Sequence, residues 1–283
     1  MDDVHDAACS HFAFAPRLTQ LAPSPHWDLV LGDGPVLAVA LHDGHAMRGS
    51  LRPHLAFDDA QLRRDEDPLT GLFTDVGDSR LCVRTSRFEV DLNRPRDKSL
   101  STDPDDTWGL RIWRGPLPRE ELERSLAIHD AFYAMVHALL ERLLARWGCV
   151  LLLDIHSYNH RRDGAGAPPA PQQGNPDIEL GVTTADRARW GGVIARLGET
   201  LRGSPVGGRV PDVRENVRYP TGGHFAESLY AHFGERLCVI SPEFKKIYMD
   251  EWTGRADLAV VDDLRAGWRR AVAAVRPEFL ACR

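Results

Sequence analysis

The run Cys149-Val150-Leu151-Leu152-Leu153-Asp154-Ile155-His156-Ser157 constrains this chain more than any other stretch. It is apolar at every position from 149 to 153 and then turns abruptly polar. It is too short for a good helix, and Gly148 precedes it. An uninterrupted run of this length reads as a strand buried on both faces, the usual state of a central strand in a parallel sheet. In open α/β sheets the chemistry lies beyond the carboxyl ends of such strands. His156 is expected there, with Asp154 able to orient it, because a ligating imidazole usually gives its second N–H to a carboxylate or carbonyl.

The same logic recurs. Val36-Leu37-Ala38-Val39-Ala40-Leu41 is a second doubly apolar run, and it ends in His42-Asp43-Gly44-His45. Leu237-Cys238-Val239-Ile240 is another, with Pro242-Glu243 at its end. Leu81-Cys82-Val83-Arg84 and Phe88-Glu89-Val90-Asp91-Leu92 read as two further strand pieces. Between them the spacing predicts helices: a short charged one over 58–65 stopped by Pro68, a long one over 119–146, one over 184–201 and a last one over 255–274. In the long helix, Leu122, Leu126, His129, Phe132, Val136, Leu139 and Leu143 recur at spacings of three and four. Pro118 suits its start and Gly148 its end. Residues 1–30 show no period and read as an irregular lead-in. The Gly/Pro-rich stretch 161–176 is expected to be a loop bordering the site. The pattern is that of a single three-layer α/β domain over 1–283, with a mixed, mostly parallel sheet between helices.

Charge and composition narrow the function. A net charge of −6 gives no footing for a nucleic-acid backbone or an anionic membrane as partner. The acidic N-terminus lacks the order of a signal peptide, and no apolar run approaches a membrane span. The five cysteines, at 9, 82, 149, 238 and 282, form no C-x-x-C pair, and their number is odd. They read as small buried hydrophobes of a cytoplasmic protein rather than disulfides or zinc thiolates.

The polar strand ends share a theme: His42 and His45; Asp91, Asn93 and Arg94; Asp154 and His156; and Glu243. A mostly parallel sheet gathers them at one edge. Two histidines and a carboxylate are the common ligand set of a hydrolytic zinc with a fourth position open for water. A separate carboxylate can take a proton from that water, and Asn beside Arg can grip a substrate carboxylate. Each residue also has a plainer reading. His156 could be a hydrogen-bonded structural histidine, Asp91 a strand-end acceptor, and Asp65-Glu66-Asp67 a solvated helix end. Glu243 could pair with Lys245 or Lys246. Ser157 sits in no G-x-S-x-G elbow, which argues against a nucleophilic serine.

Taken together, His42-Asp43-Gly44, then Ser86-Arg87-Phe88-Glu89-Val90-Asp91-Leu92-Asn93-Arg94-Pro95, then Asp154-Ile155-His156-Ser157 resemble the N-formylglutamate amidohydrolase family. So do Asn175-Pro176-Asp177-Ile178-Glu179-Leu180-Gly181, Asn216 with Gly222-Gly223, and Glu243 followed by Tyr248-Met249-Asp250-Glu251. That family is related to the aspartoacylase and zinc-carboxypeptidase enzymes. The resemblance spans about residues 36 to 251. It implies a cytoplasmic, metal-dependent hydrolase of N-acyl amino acids, of the kind used in histidine breakdown, with one divalent ion of zinc type. His42 and His156 match the family's metal-binding histidines, and Glu243 its general base and acid. Asn93 and Arg94 match the pair that holds the substrate carboxylate. Arg87 resembles the arginine that polarises the scissile carbonyl in the aspartoacylase branch, with a spacing one residue shorter. The acidic ligand departs from the H-x-x-E pattern, since His45 stands where glutamate is expected. The third ligand is then Glu66, Asp67 or His45, with Glu66 preferred. Another metal-dependent deacylase or carboxypeptidase, or a non-catalytic carboxylate-binding relative, would use the same grip.

Overall fold

In the computed structural model, which describes residues 23–100, 102, 107 and 109–282, the chain is built on one eight-stranded sheet. The strands are β1 (Trp27–Val30), β2 (Val36–Ala40), β3 (Ser79–Val83), β4 (Val150–Asp154), β5 (His156–Tyr158), β6 (Ile178–Gly181), β7 (Val213–Glu215) and β8 (Leu237–Lys245). The helices are α1 (Asp59–Asp65), α2 (Arg119–Trp147), α3 (Arg187–Arg202), α4 (His224–Phe233) and α5 (Leu258–Ala281). Along the sheet the order is β1-β3-β2-β4-β8-β6-β7, with β5 also paired to β8. β3, β2, β4, β5 and β8 run parallel, whereas β1 is antiparallel to β3 and β6 to β8.

The apolar runs are unbroken because both faces of the sheet are covered. Val36, Ala38, Leu151, Leu153, Cys238 and Ile240 join the core beneath α3 and α5, where Trp190 and Trp268 are fully buried. Leu37, Val39, Val150, Leu152, Leu237 and Val239 point the other way, into a core shared with α2 and α4. A polar residue on either face would lose its water, so neither face alternates. Gly148 ends α2 at φ +77°, a left-handed conformation that glycine adopts without a Cβ penalty, and the chain passes at once into β4. A third, smaller cluster around Leu51, Leu62, Phe88 and Trp113 supports the excursion between β2 and α2.

Several expectations need correction. Residues 1–22 of the irregular lead-in lie outside the described residues, but its end forms β1, because Trp27 buries itself edge-on against Phe132 at 5.5 Å. Residues 88–92 are not a strand. The N–H groups of Glu89 and Val90 turn back to Ser86 O, and Asp91 N–H bonds Ser99 O, so the backbone is satisfied locally. Their apolar alternation reflects Phe88 entering the small cluster while Val90 and Leu92 enter the α2 core. The run at 237–240 continues to Lys245, so Glu243 is inside β8 rather than beyond it. Helix α4 and strands β6 and β7 were not anticipated. Among the described residues, no cysteine forms a disulfide.

Candidate metal and substrate site

Sheet register brings distant residues together. In the parallel pairing of β2 with β4, Val39 lies opposite Asp154. His42 and His156 therefore emerge from neighbouring strand ends, their ring centroids 5.0 Å apart. In the pairing of β5 with β8, His156 lies opposite Glu243. Both imidazoles are buried and line a cavity of about 380 Å³, together with Glu243, Arg87, Asn93 and Arg94.

The third member of the group is Asp67. Its Oδ2 lies 3.4 Å from His42 Nδ1 and 3.3 Å from His156 Nδ1. Glu66 and His45 are not part of the group. They face each other, with His45 Nδ1 2.7 Å from Glu66 Oε2, while Ser86 donates to Glu66 Oε1 at 2.5 Å. Of the three alternatives for the acidic position, the fold thus brings Asp67 to the imidazoles and turns the preferred Glu66 away. The cause is local: α1 stops at Asp65, Glu66 adopts an extended conformation, and successive side chains then point to opposite sides.

The far ring nitrogens are backed by carboxylates. His42 Nε2 is 2.8 Å from Asp91 Oδ1, and His156 Nε2 is 3.0 Å from Asp154 Oδ1. Asp91, which ends no strand, has further partners. Its Oδ1 also accepts Asn93 N–H at 3.0 Å, and its Oδ2 accepts Arg87 Nη2 at 2.8 Å with Arg94 Nε at 3.5 Å. One buried carboxylate thus links an imidazole to both arginines. Burial alone would raise the Asp91 carboxyl, but the charge of Arg87 and the contact with His42 hold it well below the usual carboxylate range. Asp67 shows the same balance, with burial outweighed by its hydrogen bond with His156 and the close approach of the His42 imidazole. Glu243 goes the other way: burial pushes it up to about 8, His156 pulls it down, and Asp67, Asp154 and Glu179 add to the rise. Its Oε2 is buried and, among the described residues, without a hydrogen-bond partner.

The donor set fits a small divalent cation. Ligands about 2.05 Å from a tetrahedral zinc lie roughly 3.3 Å from one another, and the two Asp67–imidazole separations are 3.3 and 3.4 Å. One ligand atom from each of His42, Asp67 and His156 lies within 4.8 Å of the others. Among the described residues His42 Nδ1 has no hydrogen-bond partner, and a carboxylate stands behind each imidazole, hydrogen-bonded to His42 Nε2 and 3.0 Å from His156 Nε2.

The facing wall comes from loops. Residues 161–176 do not line the cavity, contrary to expectation. Their start is pinned elsewhere, by Glu251 accepting the N–H groups of His160 and Arg161. The cavity is bordered instead by Tyr219 and residues 221–224. That loop is held by Glu179 on β6, a residue whose role was not anticipated. Its carboxylate accepts Arg218 N–H at 2.7 Å and Tyr219 N–H at 2.8 Å. A lone acid in the apolar strand Ile178–Gly181, opposite Glu243, was the available signal. Asn93 Oδ1 accepts Phe225 N–H at 3.0 Å and so caps α4 from outside the helix.

A family model described as N-formylglutamate amidohydrolase matches residues 34–249. The chain belongs to the N-formylglutamate amidohydrolase family. Among solved structures, the N-formylglutamate amidohydrolase of Ralstonia eutropha JMP134 superposes with a TM-score of 0.69 at 20% identity, over 89% of this chain and 99% of that one. A gene product of Agrobacterium tumefaciens superposes with a TM-score of 0.59 at 17% identity, over 88% of this chain and 96% of its own. These likenesses establish a shared three-layer fold. No curated protein matches the sequence. Among the described residues, no helix is long and apolar enough to cross a membrane. Membership in this family makes a hydrolase acting on an amide the coarse reading of the cavity.

Proposed function

We propose that the protein is a metal-dependent amidohydrolase that cleaves an N-acyl amino acid, N-formylglutamate in the first instance, to the free acid and the amino acid. The observation that carries this reading is the triangle of His42, Asp67 and His156, with separations that suit a tetrahedral ion. These three residues would hold the ion, which we take to be zinc. When bound, such an ion polarises the amide carbonyl and lowers the pKa of a water molecule. Glu243 accepts the water's proton at its unpartnered Oε2 and passes it to the leaving amine. Its raised affinity for a proton, due first to burial, suits the second half of that task. Arg87, steadied by Asp91, donates to the oxygen that gains charge as the carbonyl becomes tetrahedral. Arg94 and Asn93 hold the substrate's carboxylate. A guanidinium at such a wall rejects a substrate that cannot satisfy it.

The family name supports the amide as the bond cleaved. The case for a metal-free, purely binding relative rested on the acid missing from the H-x-x-E position, and Asp67 supplies a carboxylate to the same imidazoles. The test combines metal analysis of the purified protein with turnover of N-formyl, N-acetyl and peptide substrates. About one equivalent of zinc-type metal and preferential turnover of N-formyl-L-glutamate are expected. Metal without N-formyl turnover would move the protein to another deacylase or a carboxypeptidase, and absence of bound metal would overturn the reading.

A further inference from the structure

Lys246 lies just beyond β8, three residues after Glu243, and only 1% of its surface meets solvent. An ammonium group this deep is costly unless each of its protons finds an acceptor. All three do. Nζ donates to Arg64 O at 2.7 Å, to Glu66 O at 2.6 Å and to Asn159 Oδ1 at 2.8 Å. Asn159 closes the ring, its Nδ2 donating to Arg64 O at 2.8 Å and to Asp65 Oδ1 at 3.1 Å. Lys246 N–H is itself fixed to Tyr158 O at 3.0 Å, which ties the lysine to the end of β5.

The three acceptors of Nζ are two backbone carbonyls and a side-chain amide, so the lysine is not there to pair a charge. Its target is the turn that ends α1 and delivers Asp67. The carbonyl of Glu66 and the N–H of Asp67 belong to one peptide plane. Lys246 Nζ holds the carbonyl end of that plane, and His42 O accepts its N–H at 2.9 Å. The plane that carries Asp67 is therefore gripped at both ends, by the lysine that follows the end of Glu243's strand on one side and by the backbone of His42 on the other.

We propose that Lys246, seconded by Asn159, is a positioning residue: it fixes the Glu66–Asp67 peptide plane so that the Asp67 carboxylate sits at the separation from His42 and His156 at which the three share a cation. This rests on the metal reading above. The test is cobalt(II) binding by purified, metal-stripped protein, measured by competition with a chelator and by the visible absorption band of the bound ion. Lys246→Met keeps the bulk of the side chain and removes all three donors. It should weaken cobalt(II) at least roughly tenfold, the range seen when groups behind metal ligands are lost, and should change the band. A core variant remote from the site, Phe279→Leu, chosen for a similar loss in Tm, should leave affinity and spectrum as in the wild type. Should Lys246→Met fail to fold, Asn159→Ala decides, with a several-fold weakening expected. Either variant, folded and binding cobalt(II) with wild-type affinity and spectrum, would overturn the proposal while leaving the metal site standing. Wild-type protein that binds no divalent ion would overturn both.

Discussion

The two walls of the cavity are made differently. One consists of strand ends: His42 after β2, His156 opening β5, and Glu243 inside β8, aligned by the register of buried parallel strands. The other consists of loops: Asn93 and Arg94 after a turn, and the 216–223 segment, held by side-chain bonds from Asp91, Glu179 and Asn93 to backbone or side-chain partners. Displacing a strand end would shift a doubly packed core, which resists displacement because interiors are close-packed. A loop held by a few hydrogen bonds of about 1 kcal/mol each moves more readily. The strand wall should thus tolerate no change in chemistry, and the loop wall should tune how well a substrate is held.

The largest effect expected follows from His156→Ala. Metal and activity should vanish together, since one of the three proposed donors is gone; full retention of metal, read by elemental analysis, would remove His156 from the site. Next comes Glu243→Gln. It should keep metal and substrate affinity while kcat falls by a factor of about 10² to 10⁴, as the loss of a general base does; unchanged kcat would contradict its role. The same variant sharpens a prediction of pH dependence in the metal-free protein. Glu243 holds its proton in the folded state up to about pH 8 but releases it near pH 4.5 when unfolded. Its contribution to stability is therefore complete below pH 4.5 and lost as pH rises through 8. The Tm of metal-free wild type should fall relative to that of Glu243→Gln between pH 5 and 8.5. A pH-independent difference would show that burial does not raise this carboxyl.

What could be read beforehand divides along the same line. Strands β2, β4 and the start of β8 announce themselves, because burial on both faces forbids polar residues, and His42, His156 and Glu243 follow from where those runs end. The third donor was not legible. In Asp65-Glu66-Asp67 all three side chains have the right chemistry, and the choice depends on the exact residue at which α1 stops. Asp91 looked like a strand end because its alternating neighbours pack into two different clusters. Its part in linking His42 to Arg87 exists only in three dimensions. Helix α4 did carry a signal, with Phe225, Leu229 and Phe233 four residues apart and buried on one face. Lys246 carried none: a lysine three residues after a buried glutamate reads as an ion-pair partner until its acceptors are seen to be carbonyls.

On the loop wall, Arg94→Ala should chiefly raise KM for carboxylate-bearing substrates, by about 10- to 100-fold if a charge-assisted pair worth roughly 1.5–3 kcal/mol is lost. Turnover at saturation should change little, because in the proposed mechanism the scissile bond would lie toward the strand wall. An equal fall in kcat with KM unchanged would place Arg94 in the chemistry rather than the grip.

The smallest effect expected separates two adjacent glycines. Gly223 has an ordinary backbone conformation at φ −76°, so its need for a bare Cα is purely spatial. A Cβ there would lie 2.3 Å from Asn93 Oδ1, the atom that caps α4. Gly223→Ala must push Asn93 or the helix N-terminus aside, losing a cap worth about 1 kcal/mol and shifting one of the two residues of the proposed carboxylate grip. At Gly222 the nearest atom to a Cβ is Glu227 Cγ at 3.2 Å, on a side chain that can turn away. Gly223→Ala should therefore raise KM several-fold and lower Tm by a few degrees, whereas Gly222→Ala should leave both nearly unchanged. Equal behaviour of the two variants in KM would mean that Asn93 does not couple α4 to the substrate, and the loop wall would then be defined by Arg94 and the 216–223 segment without it.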